Sequence, residues 1–175
     1  MPKRTILLAL VAASLLIAAP AASADTPVRD TFTQHTIVRD NGEACGFPAM
    51  WDIHMTVDRT RWYDDAGRIT REIQQVREDN TLHNLETGKV LRDGPVSFMR
   101  RHFYENGVRQ YTIDRGLMFN VNDGGERLVD RGRVQFRVVN GVWDILSSTE
   151  NHPVYGYLDG RPFSQVLGAF CGILD

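Results

Sequence analysis

The chain has 175 residues, and its 20 basic and 22 acidic side chains leave a formal net charge of −2. The two signs are interspersed, without a basic patch or a run of like charges, which argues against nucleic acid and anionic membranes as partners. The length fits one domain with its own hydrophobic core.

The first residues have the layout of a secretory signal peptide. Lys3 and Arg4 precede an apolar stretch from Ile6 to Ala19, and Ala22-Ser23-Ala24 follows. A positive segment, an apolar segment and a small-x-small site are typical of export signals. We therefore predict a signal peptide over residues 1–24, cleavage after Ala24 and a secreted, extracellular protein. No later stretch approaches the roughly 20 apolar residues of a membrane span, so none is expected.

The rest of the chain is predicted to be a single domain, because no repeat or Pro/Ser-rich linker divides it. Residues 25–30 read as a flexible lead-in and residues 31–175 as the domain. Cys45 and Cys171 are the two cysteines. An exported chain with an even number of cysteines most simply carries one disulfide, and the alternative is two buried free thiols.

The first half of the domain consists of short β-prone runs separated by turn residues. The clearest alternation puts Trp51, Ile53, Met55 and Val57 on one face of a strand, with Asp52, His54 and Thr56 on the other. The runs predict strands at 32–38, 49–57, 69–77, 81–86 and 90–92.

The second half contains two hairpin signals, Asn106-Gly107 and Asn140-Gly141. Asn-Gly is favoured in two-residue type I′ turns. A two-residue loop places His102 opposite Tyr111 in the first hairpin. In the second it pairs Val138 with Trp143, Phe136 with Ile145 and Arg137 with Asp144. Strands are predicted at 96–105, 108–115, 117–121, 126–130, 133–139, 142–147 and 155–158, and residues 164–170 read as a helical turn or a last strand.

These elements predict an all-β fold of about eight to ten antiparallel strands. Because nearly every connection reads as a short hairpin, we expect a single up-and-down β-barrel with a short C-terminal segment. The alternative is a β-sandwich.

The sequence contains no catalytic motif, and no cofactor is predicted. A nucleophile elbow, a His-Glu-x-x-His pair, a Walker loop and a dinucleotide-binding fingerprint are all missing. The five histidines form no local ligand pair, so a zinc site would have to be assembled from distant strands. We therefore expect no metal and interpret these side chains as surface or hydrogen-bonded groups: His35, His54, His83, His102 and His152.

The first hairpin supplies three of the four candidate ligand-binding residues. Arg100, His102 and Tyr111 offer a cation, an imidazole and a hydroxyl suited to a carboxylate or carbonyl oxygen, and Trp51 offers an apolar wall. A barrel that holds a ligand has such a mixed lining. The alternative is that these arginine and aromatic side chains stack on a solvated sheet surface.

Three short motifs carry a resemblance. Cys45-Gly46-Phe47-Pro48 after the first strand, Thr87-Gly88-Lys89 in mid-chain and Phe170-Cys171 before Leu174 resemble a group of small secreted actinobacterial proteins of unknown function. The resemblance covers the chain beyond the signal peptide and implies a disulfide and a secreted barrel, but no catalytic residue. The predicted barrel is similar to lipocalins and dirigent-type barrels in shape only, since the lipocalin Gly-x-Trp signature is missing: Phe47-Pro48 follows Gly46.

The expected function is therefore non-catalytic binding of a small, partly apolar ligand. One alternative is a cyclase or isomerase that uses His102 or Arg100 in the same cavity. Another is a cell-surface interaction scaffold. The sequence predicts no particular protein partner.

Overall fold

A computed structural model describes residues 26–150 and 152–175. Seven antiparallel strands form one up-and-down sheet in which each strand pairs with the next along the chain. The predicted all-β, up-and-down order is confirmed, and the predicted signal peptide lies outside the described residues. The strands are β1 (Val28–Asn41), β2 (Pro48–Tyr63), β3 (Ile69–Asn84), β4 (Val90–Glu105), β5 (Val108–Asn122), β6 (Arg127–Val139) and β7 (Val142–Thr149).

The sheet is open, so the expected barrel is not confirmed. Within the described residues, β1 and β7 are the two edges and do not pair with each other. A helical tail lies across the gap instead: α1 (Pro153–Leu158), a 3₁₀ helix (Phe163–Phe170) and α2 (Cys171–Leu174). The 3₁₀ helix contacts β1 and β2, while α1 contacts β6 and β7.

The strands are longer and fewer than predicted, because glycines that separate two predicted strands lie inside single strands of the structure. Gly94 in β4 and Gly116 in β5 both have a φ of +138°. A Cβ at Gly116 would lie 2.7 Å from the carbonyl oxygen of Ser97, so only glycine fits there. Register shifts occur in the same region, including those between Glu78 and Asn80 and between Leu117 and Phe119. Bulges of this kind bend a strand without ending it.

The hydrophobic core lies between the sheet and the helical tail. In β2 the predicted alternation is confirmed, since Trp51, Ile53 and Val57 are buried while His54 is exposed. The Trp51 ring packs against Phe170 of the tail, with ring centroids 5.8 Å apart. The tail thus supplies the apolar surface that the opposite wall of a closed barrel would have supplied.

The strand predicted at 155–158 is wrong, because these residues belong to α1. Pro153 stands at the start of the helix, where its missing N–H costs nothing. Asp130 of β6 accepts hydrogen bonds from the backbone N–H groups of Val154 (2.9 Å) and Tyr155 (3.1 Å). The other Asp130 oxygen lies 2.6 Å from Nδ1 of His152, so a buried carboxylate joins α1 to the sheet.

The predicted disulfide is confirmed and gives the tail a second attachment. Cys45, in the β1–β2 connection, is bonded to Cys171 at the start of α2. A third attachment is the side chain of Asn84, whose Nδ2 donates to the carbonyl oxygen of Leu174 at 3.2 Å.

The second hairpin keeps the predicted register from its turn to Phe136, where a shift between Gln135 and Phe136 ends it, and the first hairpin keeps it only next to its turn. Val138 pairs with Trp143, Phe136 with Ile145 and Arg137 with Asp144, as expected. In the first hairpin Tyr104 pairs with Arg109, but a bulge between Phe103 and Tyr104 shifts the rest. The predicted pairing of His102 with Tyr111 is therefore wrong: His102 lies opposite Thr112, and Phe103 lies opposite Tyr111.

The N-terminal end of the sheet begins earlier than predicted. β1 starts at Val28, inside the expected lead-in 25–30, because Asp30 pairs in register with Arg59 and accepts a 2.9 Å hydrogen bond from its Nε. In the part of the chain that the structure describes, no helix is long and apolar enough to cross a membrane.

Candidate functional site

A groove of about 700 Å³, here called the outer groove, crosses strands β1 to β5. It lies where the β3–β4 register shifts between Glu78 and Asn80. Bulges re-aim side chains and bend the sheet, which explains a concavity at this point. The residues that line it are Thr33, Gln34, His35, His54, Met55, Thr56, Arg77, Glu78, Asp79, Pro95, Val96, Ser97 and Leu117.

The outer groove combines apolar and polar groups, and its full charges are mostly paired. The Arg77 guanidinium contacts Asp58 at 2.7 Å, and Asp79 accepts a 2.7 Å hydrogen bond from Arg92. The partly buried Leu117 lies in register with Ser97 across β4 and β5. What remains for a guest is an apolar surface with hydroxyl, imidazole and carboxyl groups around it.

Among the polar groups that line the outer groove, Glu78 has the pKa that the protein shifts furthest. Burial raises the pKa of its carboxyl to about 7, although a hydrogen bond from Nδ2 of Asn80 (2.9 Å) and the Arg100 cation act in the opposite direction. Its charge therefore changes near neutral pH.

A second cavity, the inner cavity, has a volume of about 110 Å³ and lies between the sheet and the helical tail. Met55 and Glu78 line both cavities and so lie between them. Most of the inner lining is apolar or aromatic, and Nε1 of Trp51 is buried there without a hydrogen-bond partner among the described residues. The lining residues are Trp51, Ile53, Met55, Glu78, Phe98, Arg100, Met118, Phe119, Trp143, Tyr155, Leu158 and Phe163.

Two of the four predicted ligand-binding residues, Trp51 and Arg100, meet at the inner cavity. Arg100 is fixed there by two hydrogen bonds to Asp114, of 2.9 and 2.7 Å. Asp114 also accepts a hydrogen bond from the hydroxyl of Tyr155. The guanidinium is thus held by the protein itself.

His102 and Tyr111 line neither cavity. His102 is buried, with its Nδ1 2.8 Å from the Thr112 hydroxyl, and burial together with the Arg100 cation lowers its pKa to about 4. Tyr111 stacks on Phe103, with ring centroids 4.5 Å apart. The register shift in the first hairpin explains why the structure separates Tyr111 from His102.

The sequence did not reveal a cluster at the β1–β2 side of the outer groove. Nε2 of His35 lies 2.6 Å, and Nε2 of His54 lies 3.1 Å, from the same oxygen of Asp52. His35 and His54 face each other across β1 and β2. The alternation in β2 placed Asp52 and His54 on one face, but nothing in the sequence fixed the register of β1.

Replacing Asp93 by Asn is expected to change the pH dependence of stability. Asp93 is fully buried, and burial raises its pKa from 3.8 to about 6 despite a 2.9 Å hydrogen bond from the backbone N–H of Asn120. Since the folded state keeps the proton to higher pH, wild-type stability is highest below pH 4 for this group and falls as the pH rises through 6. Relative to that of Asp93→Asn, the free energy of unfolding of the wild type should fall by roughly 3 kcal/mol between pH 4 and 7.

Urea unfolding at a series of pH values measures this difference. The comparison with the variant is needed because His102, whose pKa is lowered, contributes the opposite trend between about pH 4 and 6.5. The control is Asp64→Asn. Hydrogen bonds from Arg68 lower the pKa of this partly exposed carboxyl, so the stability difference between wild type and Asp64→Asn changes with pH in the opposite direction. A difference between wild type and Asp93→Asn that stays constant with pH contradicts the prediction.

No family model, no curated protein and no solved structure matches this chain.

Proposed function

We propose that this chain is an exported binding protein that holds a small, partly apolar molecule in its outer groove without catalysing a reaction. The observation that carries the proposal is the groove itself. Its volume of about 700 Å³ falls within the range of roughly 300–1,000 Å³ that is usual for small-molecule sites. The proposal does not require a closed barrel, since the groove lies across an open sheet.

The groups around the outer groove indicate what kind of guest fits. Arg77 and Asp79 already have charged partners, so a fully ionic guest gains little from them. Leu117 and Met55 offer apolar contact, while Thr33, Thr56 and Ser97 offer hydroxyl groups. This favours a largely apolar molecule with one or two hydrogen-bonding groups.

Export is part of the proposal. It is supported by the predicted signal peptide over residues 1–24 and by the Cys45–Cys171 disulfide, a bond that persists in oxidising compartments. The resemblance to small secreted actinobacterial proteins points the same way. The mass of the chain recovered from the culture medium tests cleavage after Ala24.

The substitution Ser97→Trp tests the groove directly. Ser97 is exposed and lies in register between Arg77 of β3 and Leu117 of β5, so an indole there occupies the middle of the groove. We expect the affinity for an uncharged apolar probe, N-phenylnaphthylamine, to fall at least tenfold, which is about 1.4 kcal/mol. Fluorescence titration with the purified chain measures it.

The matched control is Ser148→Trp, which adds the same side chain at an exposed position of β7 outside the groove. This variant should bind the probe as the wild type does. Equal binding by Ser97→Trp and wild type, or a wild type that does not bind the probe, contradicts the proposal.

The second candidate is a cyclase or isomerase acting in the inner cavity. It is favoured by one observation: Glu78, with a pKa of about 7, and Arg100 line the same largely apolar cavity. A carboxyl group that titrates near the working pH suits general acid–base chemistry. Binding in the outer groove is preferred because about 110 Å³ is well below the roughly 300 Å³ at which ligand pockets usually begin.

A further inference from the structure

Two histidines and one aspartate converge at the edge of the outer groove. Nε2 of His35 is 2.6 Å and Nε2 of His54 is 3.1 Å from Oδ1 of Asp52, and the two imidazole rings stack with centroids 4.3 Å apart. One ligand atom from each of the three residues lies within 4.8 Å of the others. Among the described residues, this is the one group of three or more His, Cys, Asp or Glu side chains with such spacing.

The backbone beneath the cluster is fixed by the sheet. His35 and His54 are direct cross-strand partners in β1 and β2, and Asp52 stands two residues before His54 on the same face. The backbone N–H of His54 donates to Oδ1 of Asn80 at 3.0 Å, and Asn80 is fully buried. The Cα positions of the three residues are therefore set by pairing and by a core side chain, and only the side chains need to move.

The three donor groups match the ligand preference of borderline divalent transition ions. Imidazole nitrogen and carboxylate oxygen both bind Zn²⁺, and a site with three protein ligands leaves one position of a tetrahedron open. Bonds of about 2.0–2.1 Å in that geometry separate neighbouring ligand atoms by about 3.4 Å. The distances from Oδ1 of Asp52 to Nε2 of His35 (2.6 Å) and to Nε2 of His54 (3.1 Å) need only small increases to reach this value.

The side chains have room for this adjustment. The side chains of His35 and His54 are 53% and 59% exposed, whereas that of Asp52 is 26% exposed. Rotation of half-exposed imidazoles toward one point breaks no core contact. The carboxylate between them is the more fixed member of the set.

We propose that His35, Asp52 and His54 form a binding site for one divalent transition ion of the Zn²⁺ class. The coordination position that the protein leaves open is adjacent to the outer groove, because His35 and His54 also line it. That position takes water, or an oxygen or nitrogen atom of a guest. The metal site itself does not depend on the proposed ligand binding and is tested without any ligand.

The test is calorimetric titration of the untagged, disulfide-bonded chain with ZnCl₂ at neutral pH. We expect saturation at one ion per chain. The separate variants His35→Ala and His54→Ala should each weaken Zn²⁺ binding by roughly 100-fold or more, since loss even of an outer-shell partner costs roughly 10–100-fold.

The matched control is His83→Ala. His83 lies on the next strand, β3, with its Nε2 2.9 Å from the Thr81 hydroxyl, and it is not a member of the three-residue group. Its removal should leave Zn²⁺ affinity unchanged. Loss of affinity in all three variants alike, or in none, overturns the proposal, as does a wild type that binds no Zn²⁺.

A second readout separates coordination from a hydrogen-bonded His–Asp–His cluster. Co²⁺ bound by two imidazoles and a carboxylate gives visible ligand-field absorption, which should appear in the wild type and in His83→Ala and be missing in His35→Ala. Circular dichroism of each variant verifies folding. Ser97→Trp, which blocks the groove, should retain the Co²⁺ signal, so that failure of ligand binding and failure of metal binding are distinguishable.

Discussion

Replacing both Cys45 and Cys171 by alanine is expected to lower the free energy of unfolding by about 4–5 kcal/mol. The two residues are 126 positions apart, so their bond restricts almost the whole domain in the unfolded state. Loop-closure entropy grows with the length of the loop, which makes this bond worth more than a short-range one. The measurement is urea unfolding followed by tryptophan fluorescence.

The effect on the folded state should be concentrated in the helical tail. Asp130 still holds the start of α1, and Asn84 still binds the carbonyl oxygen of Leu174. The sheet should therefore persist while amide exchange in residues 163–175 becomes faster, because this segment loses its covalent attachment. Wild type measured with a reductant is the control, and it should match the double variant. A double variant as stable as the oxidised wild type contradicts the prediction.

The parts of the fold that were predictable depend on local sequence. The alternation in β2 predicted the buried face correctly because every second residue from Trp51 to Val57 is apolar. The three pairs predicted for the second hairpin are correct because Asn140-Gly141 sets a two-residue turn and the first register shift, between Gln135 and Phe136, lies beyond them. In both cases neighbours along the chain contain all the necessary information.

The errors arose where distant elements decide local structure. Gly116 falls between two predicted strands, 108–115 and 117–121, yet it lies inside β5 and is needed because the backbone of β4 approaches too closely for a side chain. Residues 155–158 looked like a strand, but the carboxylate of Asp130 caps them as a helix from a strand more than 20 positions earlier. Neither contact is visible in the sequence around the affected residues.

The candidate sites were missed for the same reason. The histidine pair depends on the register between β1 and β2, whose connection contains no two-residue turn that would fix it. The outer groove depends on where five strands bend together. Of the predicted ligand-binding residues, only Trp51 and Arg100 line the inner cavity. The bulge between Phe103 and Tyr104 separates Tyr111 from His102, a shift that the Asn-Gly turn does not predict.

Replacing Asp114 by leucine is expected to cost about 3–5 kcal/mol of stability. Its side chain is completely buried, and it is the acceptor both for Arg100, which is 26% exposed, and for the hydroxyl of Tyr155. Burial and the Asp114 charge raise the pKa of Tyr155 well above its ordinary value, so the phenol remains a donor. Removing the carboxylate leaves a mostly buried cation and a buried hydroxyl without their acceptor, and the desolvation of both is then uncompensated.

The same reasoning predicts that removing all three polar groups is far less harmful than removing one. The triple variant Arg100→Met, Asp114→Leu, Tyr155→Phe should recover most of the lost stability, because no buried charge or donor is left unpaired. Asp144→Ala, which breaks the exposed pair with Arg137, should cost less than about 1 kcal/mol. Urea unfolding of the three variants tests the set. If the triple variant is as unstable as Asp114→Leu, the loss comes from packing at this position, and the charge network contributes little to the fold.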